Sequence, residues 1–160
     1  MSSCITPQAL QEYLYSHIPL SKAMAVEVKT ASPHGVCLVA PLAPNINHRD
    51  TVFGGSASAV AILSAWALLH VSMLDADIKA RLVIQKNSMS YDLPMPTDFS
   101  AEAAAPAPEK WQRFLATLQK HKRARISIKS ILNCDGQKVG EFEGDFVAII
   151  IWSSTGLTSS

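Results

Sequence analysis

Charge is scarce in this sequence. Of 160 residues only 17% are Asp, Glu, Lys or Arg, and 14 basic against 13 acidic residues leave a formal net charge of +1. A chain so close to neutral carries no global field to gather nucleic acid or an anionic membrane surface. Cysteine is scarce too. Cys4, Cys37 and Cys134 are odd in number and show no close C-x-x-C or Cys/His spacing, which disfavours a disulfide framework and a structural zinc site. No metal set and no cofactor motif is expected. Met1 to Ser21 contains Glu12 and lacks an apolar core of the secretory kind, so the expected location is cytoplasmic. Ser56 and Ser58 lie in no G-x-S-x-G frame, which disfavours a serine nucleophile. There is no internal repeat and no Pro/Gly/Ser linker in the middle of the chain. Residues 1–152 are therefore expected to form one domain, with a flexible Ser/Thr-rich tail at 153–160.

What the chain has in quantity is apolar surface, 48% of its residues, and much of it falls in one stretch. From Gly54 to Leu74 only Ser56, Ser58, Ser64, His70 and Ser72 interrupt a run of Ala, Val, Ile, Leu, Met and Trp. A helix that is apolar all round must be buried on every side. Its length also suits a membrane span, but no Lys/Arg excess flanks it and strands follow it, so a helix wrapped by a curved sheet is the expectation. Trp66, and Trp152 near the end of the chain, are expected in the core or at an interface.

Around that helix the chain reads in order. Thr6 and Pro7 open a short helix carrying Leu10, Tyr13, Leu14 and His17, which Pro19 stops. Alternating runs at Ala23 to Thr30 and Val36 to Leu42, joined through Ser32-Pro33-His34-Gly35, predict a hairpin. After the long helix come strands at Ala80 to Tyr91 and Thr97 to Ala105. A surface helix follows at Glu109 to Lys120, with Trp111, Phe114, Leu115 and Leu118 on one face. Asp135-Gly136 then joins strands at Arg123 to Cys134 and Gln137 to Ile151, with bends expected at Gly140 and Gly144. This order implies an α+β fold, a mainly antiparallel sheet curled around one helix.

The chemistry-bearing residues crowd just before the long helix. Asn45, Asn47, His48, Asp50 and Thr51 lead through Phe53 to Gly54, Gly55 and Ser56, where the helix begins. First-turn amides carry the positive end of the helix dipole, and glycine lets a carbonyl approach them closely. Gly54, Gly55 and Ser56 can therefore polarise an ester or thioester oxygen in the manner of an oxyanion hole. Asp50 is the one acid in the loop, though beside Arg49 it also suits a turn. His48 either orients a ligand or is satisfied by backbone. Lys120, His121, Lys122, Arg123 and Arg125 form the only dense basic run. It fits either a solvated helix end or a grip for phosphate or an acidic protein surface.

Ala-Pro-Leu-Ala-Pro-Asn-Ile-Asn at 40–47, Thr-Val-Phe-Gly-Gly-Ser at 51–56, and Tyr91 with Pro94 resemble the bacterial thioesterase-like family of hot-dog proteins. In some relatives this domain follows an acetyltransferase-like one, of which these residues hold no part. The resemblance implies a hot-dog fold acting on acyl groups held as thioesters on coenzyme A or acyl carrier protein, without a cofactor. It also implies a homodimer with the active site between subunits. The catalytic set would be Asn45, Asn47, Gly54, Gly55 and Ser56, and the substrate-binding set His48, Asp50, Thr51, Phe53, Tyr91, Lys122 and Arg123. The basic run leans towards a carrier protein. Many hot-dog thioesterases have His-Gly-Gly and a carboxylate two turns into the helix, whereas this chain has Phe53-Gly54-Gly55 and Ile62. Without an acid to activate water, decarboxylation of a malonyl thioester is favoured, a side-chain amide of Asn45 or Asn47 joining the helix amides at the enolate oxygen. Hydrolysis, and binding without turnover, are the alternatives.

Overall fold

In a computed structural model, which describes residues 4–151, the chain forms four α-helices and one six-stranded sheet. The opening helix α1 (Pro7–His17) is capped by Thr6, whose hydroxyl accepts from the Ala9 amide at 3.1 Å. Its apolar positions Leu10 and Leu14 are fully buried. Pro19 does more than stop this helix. It occupies the first turn of a second one, α2 (Pro19–Ala23), where a missing N–H costs nothing. The expected strand at 23–30 therefore starts late, as β1 (Glu27–Ser32), after Ala25 turns the chain at φ 56°.

Its partner β2 (Gly35–Ala40) likewise ends early, because Leu42 adopts helical angles and leads into a 3₁₀ turn at Ala43–Asn45. The long helix α3 (Gly54–Asp75) is followed by β3 (Ala80–Tyr91) and β4 (Phe99–Ala104). Then come α4 (Pro108–His121), β5 (Arg123–Cys134) and β6 (Gln137–Ile150). All pairings are antiparallel, in the order β1-β2-β4-β5-β6-β3. Gly140 pairs with Tyr91, and a Cβ there would fall 2.6 Å from the Ser90 carbonyl, so glycine is what allows β6 and β3 this close. Trp152 and the tail at 153–160 lie outside the described residues.

Every strand contributes inward residues that pack on α3, giving the curved antiparallel sheet around one central helix of the hot-dog fold. The inward positions of β5 (Ala124, Ile126, Ile128, Leu132) and of β6 (Phe142, Phe146) alternate with polar ones, as a half-buried sheet requires. One buried polar tie joins helix to sheet, Ser64 Oγ to Ser130 Oγ at 2.7 Å. By length and composition α3 is apolar enough to cross a membrane, yet it is the core helix of this sheet. It is not buried all round, however. Ala59, Ile62, Trp66 and His70, spaced three or four apart, form a half-exposed stripe, because the sheet is open along that side.

Candidate functional site

The loop from Pro41 to Phe53 is built by its two asparagines. Asn45, 2% exposed, donates both amide hydrogens to main-chain carbonyls, to Met24 at 3.0 Å and Pro41 at 2.8 Å. Its own carbonyl accepts the Phe53 amide at 2.7 Å. One residue thus ties three segments, its side chain the turn before β1 and the end of β2, its main-chain carbonyl the start of α3. Its Oδ1 is buried without a partner, a cost accepted for the three ties.

Asn47 organises the next turn. Oδ1 accepts from the amides of Arg49 (2.8 Å) and Thr51 (3.1 Å), and Nδ2 donates to Thr51 Oγ1 at 2.9 Å. This is the local bonding through which Asn replaces backbone in turns. Asp50 sits in that turn at φ 60°, and the side chains of His48 and Asp50 are exposed. The expectation that either asparagine donates to a substrate oxygen meets a physical obstacle. Both hydrogens of Asn45, and those of Asn47, already serve the loop.

What the loop delivers is an uncapped helix. Phe53 is the N-cap residue of α3 and offers no side-chain bond to the first turn, and its own amide is spent on Asn45. The amides of Gly54, Gly55 and Ser56 have no partner among the described residues. Where Ser, Thr, Asp or Asn would normally accept from N2 or N3, three donors stay open at the positive end of a 22-residue dipole.

Two rings frame them. A Cβ on Gly54 would meet the Tyr91 ring at 3.5 Å, and one on Gly55 would come within 2.4 Å of the Phe53 ring. Both rings are more than half exposed, Phe53 at 57% and Tyr91 at 55%, and the apolar side chains of Ile46 and Leu93 are exposed in the flanking loops. The structure thus brings Phe53, Gly54, Gly55 and Tyr91 together, and Asn45 and Thr51 support them from behind.

Lys122 and Arg123 lie elsewhere. Lys122 closes α4 in a left-handed turn at φ 63°, its amide bonded to the Leu118 carbonyl and its carbonyl accepting from Ile150. Arg123 opens β5 level with Ile149 and, through it, Arg81. That is ten positions along β3 from Tyr91, about 33 Å at the usual rise per residue. Sequence order gave no warning of this separation, since only strand register measures it.

Two features escape a reading of the sequence. Asp92 follows Tyr91 at the site end of β3, its carboxylate accepting from Ser90 Oγ at 2.5 Å. Four stacked rings also run between α1 and α3: His17 on Tyr13 (4.0 Å), Tyr13 on His70 (4.6 Å) and His70 on Trp66 (5.0 Å). Helical spacing did place Tyr13 with His17, and Trp66 with His70, but their meeting is tertiary. Burial, and then the nearby His17, hold the His70 pKa below its ordinary value. Burial, aided by Glu102 and opposed by Lys29, raises that of Cys37, which fits a packing residue better than a nucleophile.

Solved structures share this architecture. A protein of unknown function from Chlorobaculum tepidum superimposes with a TM-score of 0.87 at 25% identity, over 92% of this chain and 99% of that one. A protein described as a putative thioesterase from Shewanella oneidensis gives 0.80 at 24%, over 89% and 96%. A thioesterase from Haemophilus influenzae gives 0.73 at 8% identity, over 96% and 97%, a likeness of fold alone. With the uncapped α3 amides inside this fold, and a family model described as "Putative thioesterase (yiiD_Cterm)" matching residues 7–150, the chain belongs to that thioesterase-like hot-dog family.

Proposed function

We propose that this protein is an acyl-thioester enzyme whose α3 amides hold the thioester oxygen, and that its reaction is decarboxylation of a malonyl-type thioester. The observation that carries this reading is the row of three unpartnered amides at Gly54, Gly55 and Ser56 between the Phe53 and Tyr91 rings. Two turns into the helix, where an acid would activate water, stands half-buried Ile62. Decarboxylation needs no such acid. The bond from the α-carbon to the carboxylate breaks, carbon dioxide leaves, and the electron pair passes through the enolate to the thioester oxygen, where the amides meet it. A proton from solvent then closes the α-carbon, and the thioester bond survives. The apolar rings disfavour the departing carboxylate in the ground state.

The working unit is a homodimer. The open edge of β3 and the half-exposed apolar stripe of α3 adjoin, since Trp66 Nε1 donates to the Leu82 carbonyl at 3.2 Å. A second copy of the same chain covers both at once. The carrier is coenzyme A or acyl carrier protein. A specific observation favours hydrolysis as the second reading: the family is described by thioesterase activity. Asp50 or Asp92 would then be the acid.

One reaction separates the two. Malonyl-coenzyme A, followed by mass spectrometry and a thiol-reactive dye, should yield acetyl thioester and no free thiol. Free thiol in stoichiometric amount would overturn decarboxylation in favour of hydrolysis. Gly55→Ala should lower kcat/KM by about 10²-fold by displacing the Phe53 ring, and Gly54→Ala, whose Cβ has room, by less.

A further inference from the structure

A cavity of about 230 Å³ lies at the other end of α3, where its last turns meet the β1–β2 turn and the first turns of α4. Its floor is Leu68 and Leu69, both fully buried, and the half-buried Trp111 of α4 lines its side. Ser72 and Asp75 follow the leucines on the same face of α3 at helical spacing, and Gln112 adds a side-chain amide from α4.

The enclosure is held by backbone. Pro33, Pro106 and Pro108 line it with fixed φ angles, and the Ala105 amide donates to the His34 carbonyl at 3.0 Å, which fastens the β1–β2 turn to the segment leading into α4. A ligand would find these walls already in place.

The charge of the cavity is one-sided. Asp75 is the only Asp, Glu, Lys or Arg on the lining, and it ends α3, where the helix dipole is already negative and the last turn holds no basic residue. Among the described residues its carboxylate has no ion pair or hydrogen bond, and Ser72 Oγ, the Gln112 side-chain amide and Trp111 Nε1 have no partner either. The fold makes no use of these groups.

Chemistry and size then narrow what the cavity takes. An anion would meet both Asp75 and the negative end of α3, and a wholly apolar molecule would strip water from the carboxylate without replacing it. A cation meets neither obstacle. An apolar floor, an aromatic ring beside it and one carboxylate among convergent polar groups match the needs of a positive charge carried on an apolar body. At ~30 Å³ for each water-sized group the space holds about eight, so the molecule is small.

We infer that this cavity binds a small organic ammonium ion, its nitrogen at Asp75 and its apolar body on Leu68 and Leu69 beside Trp111. The site stands about 32 Å along α3 from Gly54, at about 1.5 Å per residue, and is independent of the chemistry proposed there.

Three probes of one shape test the charge. 2-Phenylethylammonium carries a ring and a positive charge, 2-phenylethanol keeps the ring without the charge, and 3-phenylpropionate reverses it. Titrated into the intact, isotope-labelled protein, the ammonium should shift the Trp111 indole N–H signal, identified by its loss in Trp111→Phe, with a dissociation constant of about 1 mM or tighter. The alcohol should bind about tenfold more weakly, and the carboxylate more weakly still. Rising salt should weaken the ammonium alone.

Variants test the place. Asp75→Asn keeps the shape, removes the charge, and should weaken the ammonium by about threefold to fivefold, the scale of an exposed ion pair, with the alcohol unchanged. Asp77→Asn, two residues on and off the lining, should change neither. Ser72→Leu should fill the cavity from α3 and abolish binding while the urea midpoint is kept; should it fail to fold, the exposed Asp75→Asn carries the test. Equal binding of alcohol and ammonium, or full ammonium affinity in Asp75→Asn, overturns the cation assignment. Binding retained in folded Ser72→Leu, or no Trp111 shift well above millimolar ammonium, overturns the site.

Discussion

The two edges of the sheet are treated differently, and the difference teaches where this protein expects company. At the β1 edge the N-terminal helix does the closing. Gln11 Oε1 accepts the Val28 amide at 3.0 Å, and the Tyr15 hydroxyl donates to the Val26 carbonyl at 2.6 Å. Leu10 and Leu14 bury themselves alongside, and a register shift between Val28 and Thr30 spoils the six-residue strand as a template. The β3 edge is twelve residues long, keeps Val83 43% exposed, and has one carbonyl, that of Leu82, taken by a side chain. A long unpaired edge is a liability in a monomer and an interface in a dimer. The chain spends its first helix on one edge and leaves the other open, which is the edge on which the proposed dimer rests.

Breaking the closed edge should have the largest effect. Leu14→Ala removes a fully buried side chain that fastens α1 and should cost about 2–5 kcal/mol, read as a lower urea midpoint. Closing the open edge should act on assembly and spare the fold. Val83→Lys puts a charge without a partner on the apolar edge that the second copy would cover, and should raise the dimer dissociation constant by about tenfold or more in sedimentation, because desolvating an unpaired charge is costly. Subunit stability should stay within about 0.5 kcal/mol. A variant that remains fully dimeric would place the interface elsewhere.

The smallest effect sharpens the comparison at the seam where α1 meets α3. His70 sits between the Tyr13 and Trp66 rings with its pKa lowered by burial and by His17. The unfolded chain protonates this imidazole near pH 6.5, while the folded chain resists. Stability should therefore be insensitive to His70 above that range and fall as pH drops below it. His70→Gln should flatten that slope in urea titrations between about pH 7.5 and 5, and an unchanged slope would assign the pH dependence to other groups.

Sequence alone determined the elements that rest on local chemistry. The apolar run of α3 set a central helix, Asp135-Gly136 set the β5–β6 hairpin, and Phe53-Gly54-Gly55 set a helix start without a capping side chain. Period, turn residues and missing side chains are visible in a string of letters. Pro19 shows where that stops, since the same residue ends one helix or begins the next according to what its neighbours bury. Only the tertiary structure decided that the amides of Asn45 and Asn47 serve the loop, because their acceptors include Met24, Pro41 and Val52, carbonyls whose positions no local rule fixes. It alone decided that Lys122 and Arg123 lie far from the glycines, and that Tyr91 closes over Gly54, since both follow from the register of β3 on β6. Distance along a chain is not distance in a sheet, and a hydrogen-bond partner exists only once the fold has brought it within 3 Å or so.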